Sequence, residues 1–184
     1  MQRSDETLIS FHTGRVELTG ELVTLRPFRE EELDLWWGAT RALGVEAFPA
    51  GVPTRAALGA RIRRGARMIR GEIDLAIEAG GRVVGAIQTQ RPHPLPPRVF
   101  QLGIGVFSPA DRGRGYGTEA VALFVDWLFA THAAERVQAG TAPGNAAMRG
   151  VFDRLGFTER ETVLVAGHEH LLYAVDRDRW PAAG

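Results

Sequence analysis

The stretch 108-SPADRGRGYGTEAVALFV-125 decides the reading of this chain. Between Arg112 and Gly117 it holds three glycines and two arginines, and it then turns apolar at helical spacing, with Ala120, Val121, Phe124, Trp127 and Leu128 on one face. At the start of a helix the first N–H groups lack internal partners, and the aligned peptide dipoles leave partial positive charge. Such a position favours an anion. Gly113, Gly115 and Gly117 let the backbone come close to it, while Arg112 and Arg114 add formal charge. The stretch reads as a cradle for a pyrophosphate, against the bland alternative of a structural glycine-rich turn.

Two other anion sites fail on context. A P-loop needs a lysine after its glycines, and "RGRGYGTE" has none. "GYGTEA", Gly115 to Ala120, satisfies the G-x-G-x-x-A of a dinucleotide fold. That fingerprint belongs after the first strand of a parallel βαβ unit, with an acid at the end of the next strand. Here it follows segments that read as antiparallel, and "RVQAGTAPG", Arg136 to Gly144, ends with no acid.

Working outward, "VFQLGIGVF", Val99 to Phe107, reads as a strand with Phe100, Leu102, Ile104 and Val106 on one face and Gln101, Gly103 and Gly105 on the other. Glycine inside a strand costs stability, so a face stripped of bulk predicts close approach by a ligand or another backbone. Upstream, "EIDLAIEAGGRVVGAIQTQ" is a hairpin turning at Gly80 and Gly81, and the four prolines of "RPHPLPP" make a loop in which His93 reads as a surface residue. "ELVTLRPF" is a strand ending at Pro27. "REEELDLWW" then opens a helix with Glu30, Glu31 and Glu32 at its positive end and Leu33, Trp36 and Trp37 as its buried stripe. Thr54 caps a second helix striped by Leu58, Ile62, Ala66 and Ile69, whose arginine ladder reads as a solvated face. Downstream, "RVQAGT" is a short strand, and "GNAAMRGVFDRLGF" is a helix with Met148, Val151, Phe152 and Leu155 inward, stopped at Gly156. "RETVLVA" and "HLLYAVDR" close the chain as an antiparallel pair around "GHEH".

With 184 residues the chain suits one domain, burying roughly two-thirds of its unfolded surface. Residues 1–20 read as an N-terminal arm, either loose or one added strand, and 21–184 as the domain. Formal charge is zero and the pI is about 7.0, so no global field draws it to nucleic acid or membrane. All 22 basic residues are arginine, and cysteine is absent. That excludes an internal Schiff base, a thiolate nucleophile, a disulfide and a thiol metal site. The start lacks the features of a signal peptide and no run reaches transmembrane length, so the expected location is cytoplasmic.

"RGRGYG" resembles the Q/R-x-x-G-x-G/A motif of the GNAT superfamily of acyl-CoA-dependent N-acyltransferases, through Arg112, Gly115 and Gly117. "NAAMRGVFDRLGF", Asn145 to Phe157, is similar to the family's second signature, and "LYAVDRDRW" resembles the close of its ribosomal-protein N-terminal acetyltransferase branch. The resemblance implies an α/β (α+β) fold, a strongly bent, mostly antiparallel mixed sheet flanked by about four helices. It implies acetyl-CoA as co-substrate, no metal, and a small-molecule or peptide amine as acceptor, in a monomer or homodimer. By position, the backbone of Arg112, Gly113, Arg114, Gly115, Tyr116, Gly117 and Thr118 would hold the pyrophosphate. Val106 and Phe107 would pair with pantetheine, and the Val106 N–H would polarise the thioester carbonyl. Asn145 would contact the pantetheine arm, Phe152 would belong to the cofactor-binding set, and Arg154 would reach outer phosphate, with an exposed helix arginine as its alternative.

Acyl transfer to an amine asks for a neutral amine, a donor at the developing oxyanion and a proton for the thiolate. Direct attack suits a chain without lysine or cysteine. The sequence departs from the family pattern in three places: Phe152 replaces a tyrosine, Met148 a serine and Gln101 an acid. For the base, "GHEH" offers Glu169 and His168, with Tyr173 and a water relay as alternatives. Trp36, Trp37, Glu46 and Phe48 are candidates to line the acceptor's mouth, with core packing as the alternative for the tryptophans. Three functions follow: acetylation of a peptide or protein N-terminus, acetylation of an antibiotic or polyamine, and a catalytically silent acyl-CoA-binding module.

Overall fold

The computed structural model describes residues 16–47, 52–65, 67–90, 95–165 and 167–181. The expectations for Phe48, Ala66 and His93 lie outside them. Chain order is β1 Leu18–Thr19, β2 Thr24–Arg26, α1 Leu33–Ala47, α2 Arg55–Arg64, β3 Ile73–Ala79, β4 Arg82–Gln90, β5 Val99–Val106, α3 Tyr116–Thr131, β6 Arg136–Thr141, α4 Ala146–Arg154, β7 Thr158–Val165 and β8 His168–Asp176. The strands form one sheet in the order β1-β2-β3-β4-β5-β6-β8-β7. Every neighbouring pair is antiparallel except β5 and β6. This is the predicted mostly antiparallel mixed sheet with four helices.

Alternation sorts the strand residues between two faces. Leu75, Ile77, Ile87, Phe100, Leu102, Val137, Ala139, Tyr173 and Val175 turn to one face, where they pack with Ala120, Val121, Phe124 and Leu128 of α3 and Phe152 of α4. Ala76 turns to the other, under Trp36 of α1 and Leu58 of α2, with Phe28. The Gly80–Gly81 turn is as expected, with φ of 57° and 76° and Ala79 opposite Arg82. Thr54 caps α2, its Oγ1 accepting from the Ala57 N–H at 3.2 Å.

Leu18–Thr19 pairs with β2, so of the two readings of the N-terminal arm it is the added strand that forms there. Two expectations change. The second helix stops at Arg64 because Gly65, at φ 68°, closes it, which leaves Ile69 outside the helix and 41 % exposed. Its arginine ladder is also not wholly solvated: Arg61 and Arg64 reach the half-buried Asp74 of β3.

The feature that positions the site lies between β5 and β6. They pair only at Val99↔Arg136, Phe100↔Val137 and Gln101↔Gln138. Beyond that point β5 runs on to Val106 and β6 to Thr141 without pairing, so the sheet opens in its middle.

Candidate active site

A 3-10 turn, Pro109–Asp111, links β5 to α3 and is capped by Ser108, whose Oγ accepts from the Ala110 N–H at 3.2 Å. Its last residue, Asp111, is only 4 % exposed and takes both terminal nitrogens of Arg82 at the start of β4, Nη1 donating to Oδ2 at 2.9 Å. The hydrogen bond from Arg82 holds the Asp111 carboxyl below the usual carboxylate range. Arg114 folds back so that its Nε donates to the Ala110 carbonyl at 3.0 Å. Gly113 at φ 72° and Gly115 at φ 85° then turn the chain into α3, in backbone regions that strain other residues.

Gly115 is the N-cap of α3 and has no side chain to close the first turn. The N–H groups of Tyr116, Gly117 and Thr118 therefore have no acceptor among the described residues. Gly117 differs from the other two glycines. A Cβ there would lie 3.9 Å from Val106 Cγ2 and 4.0 Å from Ile104 Cδ1, so its bare Cα faces β5 and not the approach to the helix end. From α4, Arg154 crosses over, its Nη2 lying 3.5 Å from Thr118 Oγ1. Asn145 caps α4 through Oδ1, which accepts from the Met148 N–H at 3.1 Å.

The same first turn anchors the start of the sheet. The Glu119 carboxylate accepts from the N–H groups of Glu21, Leu22 and Val23 at 2.9, 2.8 and 2.7 Å. A Cβ on Gly20 would come within 2.6 Å of Glu119 Cδ, which explains that glycine. The exposed Leu22 is thereby laid beside Gly115, with Cδ1 3.0 Å from where a Cβ would stand.

The β5 backbone supplies a second set of free groups. The Phe107 N–H donates to the Val84 carbonyl at 2.9 Å, continuing the register Gly85↔Val106 to Gln90↔Gln101. Hydrogen bonding alternates along an antiparallel pair, so Phe107, Gly105, Gly103 and Gln101 bond to β4; the Leu102 N–H serves the last pairing with β6, while Ile104 and Val106 point their N–H and C=O groups into the opening. This corrects the expectation for Phe107, whose N–H is spent inside the sheet; Val106 keeps a free amide. The glycines of β5 are also explained differently. A Cβ on Gly105 would meet Leu43 Cδ1 of α1 at 3.1 Å, and one on Gly103 would meet Gln88 Nε2 at 3.1 Å. Side chains, not a ligand, come close there.

The remaining candidates do not converge. Trp36 is 3 % exposed and stacks on Phe28 at 4.1 Å with rings 3° apart, so it is core and not a mouth residue. Trp37 is half-buried beneath the Arg41 guanidinium, 5.0 Å away. Glu46 falls in the last turn of α1, and its side chain is outside the described residues. Phe152, 1 % exposed, lies between Tyr173 at 4.9 Å and Phe157 at 5.2 Å, which makes it a packing residue and corrects its place beside the cofactor. His168 and Glu169 are exposed at the start of β8, where alternation parts them. Glu169 shares the side of Leu171 and the buried Tyr173; His168 shares the side of His170, whose Cβ lies 3.8 Å from where a Gly140 Cβ would stand. Glu169 is thus on the wrong side of the sheet to act with His168.

Sequence reasoning missed Arg82, Asp111, Glu119, Gln138 and His170. Only Glu119 carried a signal, as an acid in the first turn of a helix, and it reads there as a partner for the helix dipole.

Residues 23–158 match the family described as acetyltransferase (GNAT) domain. Among solved structures, Mycobacterium smegmatis RimJ in complex with CoA-disulfide is similar at a TM-score of 0.68 and 25 % identity, over 88 % of this chain and 86 % of that one. The ribosomal-protein-S5-alanine acetyltransferase of Vibrio fischeri matches at 0.72 and 16 %, over 90 % and 99 %. Aminoglycoside acetyltransferase AAC(6')-Ib in complex with coenzyme A matches at 0.68 and 19 %, over 85 % and 96 %. The likeness to these last two is one of fold. A comparison with curated proteins finds no match. With the family match spanning most of its length, the chain belongs to the GNAT acetyltransferases and is an acyl-CoA-dependent N-acyltransferase.

Proposed function

We propose that the chain moves an acetyl group from acetyl-CoA to the primary amine of a peptide or protein N-terminus by direct attack on the thioester. The observation that carries this reading is the free amide edge of β5 at Ile104 and Val106, which leads through the Pro109–Asp111 turn to the uncapped first turn of α3. An anion at one end and an extended, amide-bearing arm at the other match the diphosphate and pantetheine of one ligand. The residues present fit that ligand: two positive-φ glycines clear the turn, and Arg154 brings a cation to Thr118.

On this reading Arg112 to Thr118 hold the diphosphate, Arg154 reinforces them, and the free Nδ2 of Asn145 faces the arm. The Val106 N–H donates to the carbonyl oxygen as negative charge develops on it. Because that donor is fixed in a sheet, no reorganisation is needed at the moment of reaction. A peptide α-amine has a pKa near 8 and is partly neutral at physiological pH, so no buried base is required. His168 lies on the open face to collect the released proton. Phe152 has no proton to give, which leaves the departing thiolate to solvent.

The test is thiol release from acetyl-CoA with Val106→Pro. Proline removes the Val106 N–H from the opening and spares the bonds to β4. Turnover should fall about 100-fold while CoA affinity by calorimetry changes little. Full turnover in the variant would place the thioester elsewhere. Binding of CoA by the unaltered chain without turnover of any amine would identify a silent acyl-CoA-binding module.

A further inference from the structure

We infer that the paired side-chain amides of Gln101 and Gln138 form the acceptor subsite, and that they take a primary amine whose neighbouring carbon bears a carbonyl, as at the first residue of a peptide. The inference rests on the proposed acetyl transfer at the β5–β6 opening and names the acceptor side of it.

These two residues are the last pair before the strands part. Their neighbours Phe100, Leu102, Val137 and Ala139 are buried under α3, so both glutamines turn to the opposite face. Gln138 Nε2 donates to Gln101 Oε1 at 3.1 Å. That bond uses one N–H and one lone pair. The Gln101 NH2 and the Gln138 carbonyl oxygen have no other partner among the described residues, and neither is a buried unsatisfied atom, so both reach solvent. The pair therefore presents a donor and an acceptor side by side at the vertex of the opening. Immediately beyond it the same face carries Gly103 on β5, against Gln88, and Gly140 on β6, against His170, so the pair's neighbours on that face are an amide and an imidazole.

A peptide's first residue offers the complement: amine N–H groups for Gln138 Oε1, and a carbonyl oxygen three bonds away for Gln101 Nε2. Charge argues against a polycation. Of the strand carboxylates on this face, Asp74 is engaged by Arg61 and Arg64, Glu78 by Arg26, and Asp176 by Arg136 and Arg160. Glu161 lies two strands from Gln138, roughly 10 Å away. Neutral amides can orient one amine, but they do not repay the desolvation of several ammonium groups.

The experiment measures thiol release with trialanine, butylamine and kanamycin as acceptors, and CoA affinity by calorimetry, for the unaltered chain, Gln101→Leu and Gln138→Leu. The unaltered chain should favour trialanine over butylamine by about tenfold in kcat/KM, as one hydrogen bond to the carbonyl provides. Gln101→Leu should raise the KM for trialanine about tenfold and bring it level with butylamine, with kcat and CoA affinity nearly unchanged. Gln138→Leu should raise the KM for both amines. An unchanged KM in both variants, a preference of the unaltered chain for kanamycin, or loss of CoA affinity in both variants would overturn the assignment. Failure of the unaltered chain to acetylate any of the three while binding CoA would instead defeat the proposed function itself.

Discussion

At Phe152 the family pattern and the local packing ask for different things. The resemblance places a proton-donating tyrosine there, yet the ring is enclosed by Tyr173 and Phe157, and its 1 % exposure leaves it no surface for chemistry. Its contribution is the dispersion and hydrophobic energy of a filled aromatic site. Phe152→Ala should therefore cost about 3–5 kcal/mol in urea denaturation, since the surrounding rings cannot collapse fully into the space. Initial rates per folded molecule should change little. A variant that keeps its stability and loses turnover would show that the ring serves the reaction and not the core. Gly115 makes a related point. Its φ of 85° and the Leu22 side chain beside it explain the glycine by conformation and contact, whereas at Gly117 a Cβ would make only ordinary contacts with Val106 and Ile104, and nothing in the structure explains that glycine.

Between elements, the site depends on ties that join distant parts of the chain. Glu119 bonds the N–H groups of residues 21–23 to the first turn of α3, and Arg82 bonds the start of β4 to the turn before it. Glu119→Ala strands three backbone donors at once. It should cost about 2–3 kcal/mol, seen in urea denaturation and as faster amide exchange at Glu21, Leu22 and Val23. Unchanged exchange at those amides would mean that the loop is held by other contacts. These ties mark where sequence reading stops. The hairpin at Gly80–Gly81, the faces of β5 and the helix after the glycine-rich turn were legible because each is set by residues a few positions apart. The end of α2 was misread because its apolar stripe continues past Gly65, and the backbone turn at that glycine overrides the stripe. Arg82 with Asp111, Glu119 with residues 21–23, and Gln101 with Gln138 are separated by 29, 96 to 98 and 37 positions. No periodicity reports such pairs; only the strand order brings them together.

For the molecule as a whole, the absence of lysine means that every basic tie is a guanidinium, able to grip a carboxylate with two nitrogens. Arg26 grips Glu32, Arg82 grips Asp111 and Arg136 grips Asp176 in this way. The hydrogen bonds from Arg82 and Arg136 hold Asp111 and Asp176 below the usual carboxylate range. A carboxyl depressed in the folded state binds protons more weakly there than in the unfolded chain. It adds stability at pH above the free value of about 3.9 and loses it as pH falls through the folded value. Asp74 runs the other way: burial pushes its carboxyl up against the pull of Arg61 and Arg64, so its contribution declines as pH rises from about 3.9 through its folded value. The two classes oppose each other in acid, and removing one tie separates them. Arg82→Ala should be less stable than the unaltered chain at pH 7, with the difference shrinking as pH falls from about 3.9 toward the lower folded value of Asp111, below which the carboxyl is protonated in both. Arg82→Lys keeps the charge but not the fork, and it should recover only part of the loss. Urea denaturation from pH 3 to 7 checks this. A difference that stays constant across that range would mean that the Arg82 side chain stabilises by packing, and that the link from β4 to the turn before α3 is not electrostatic.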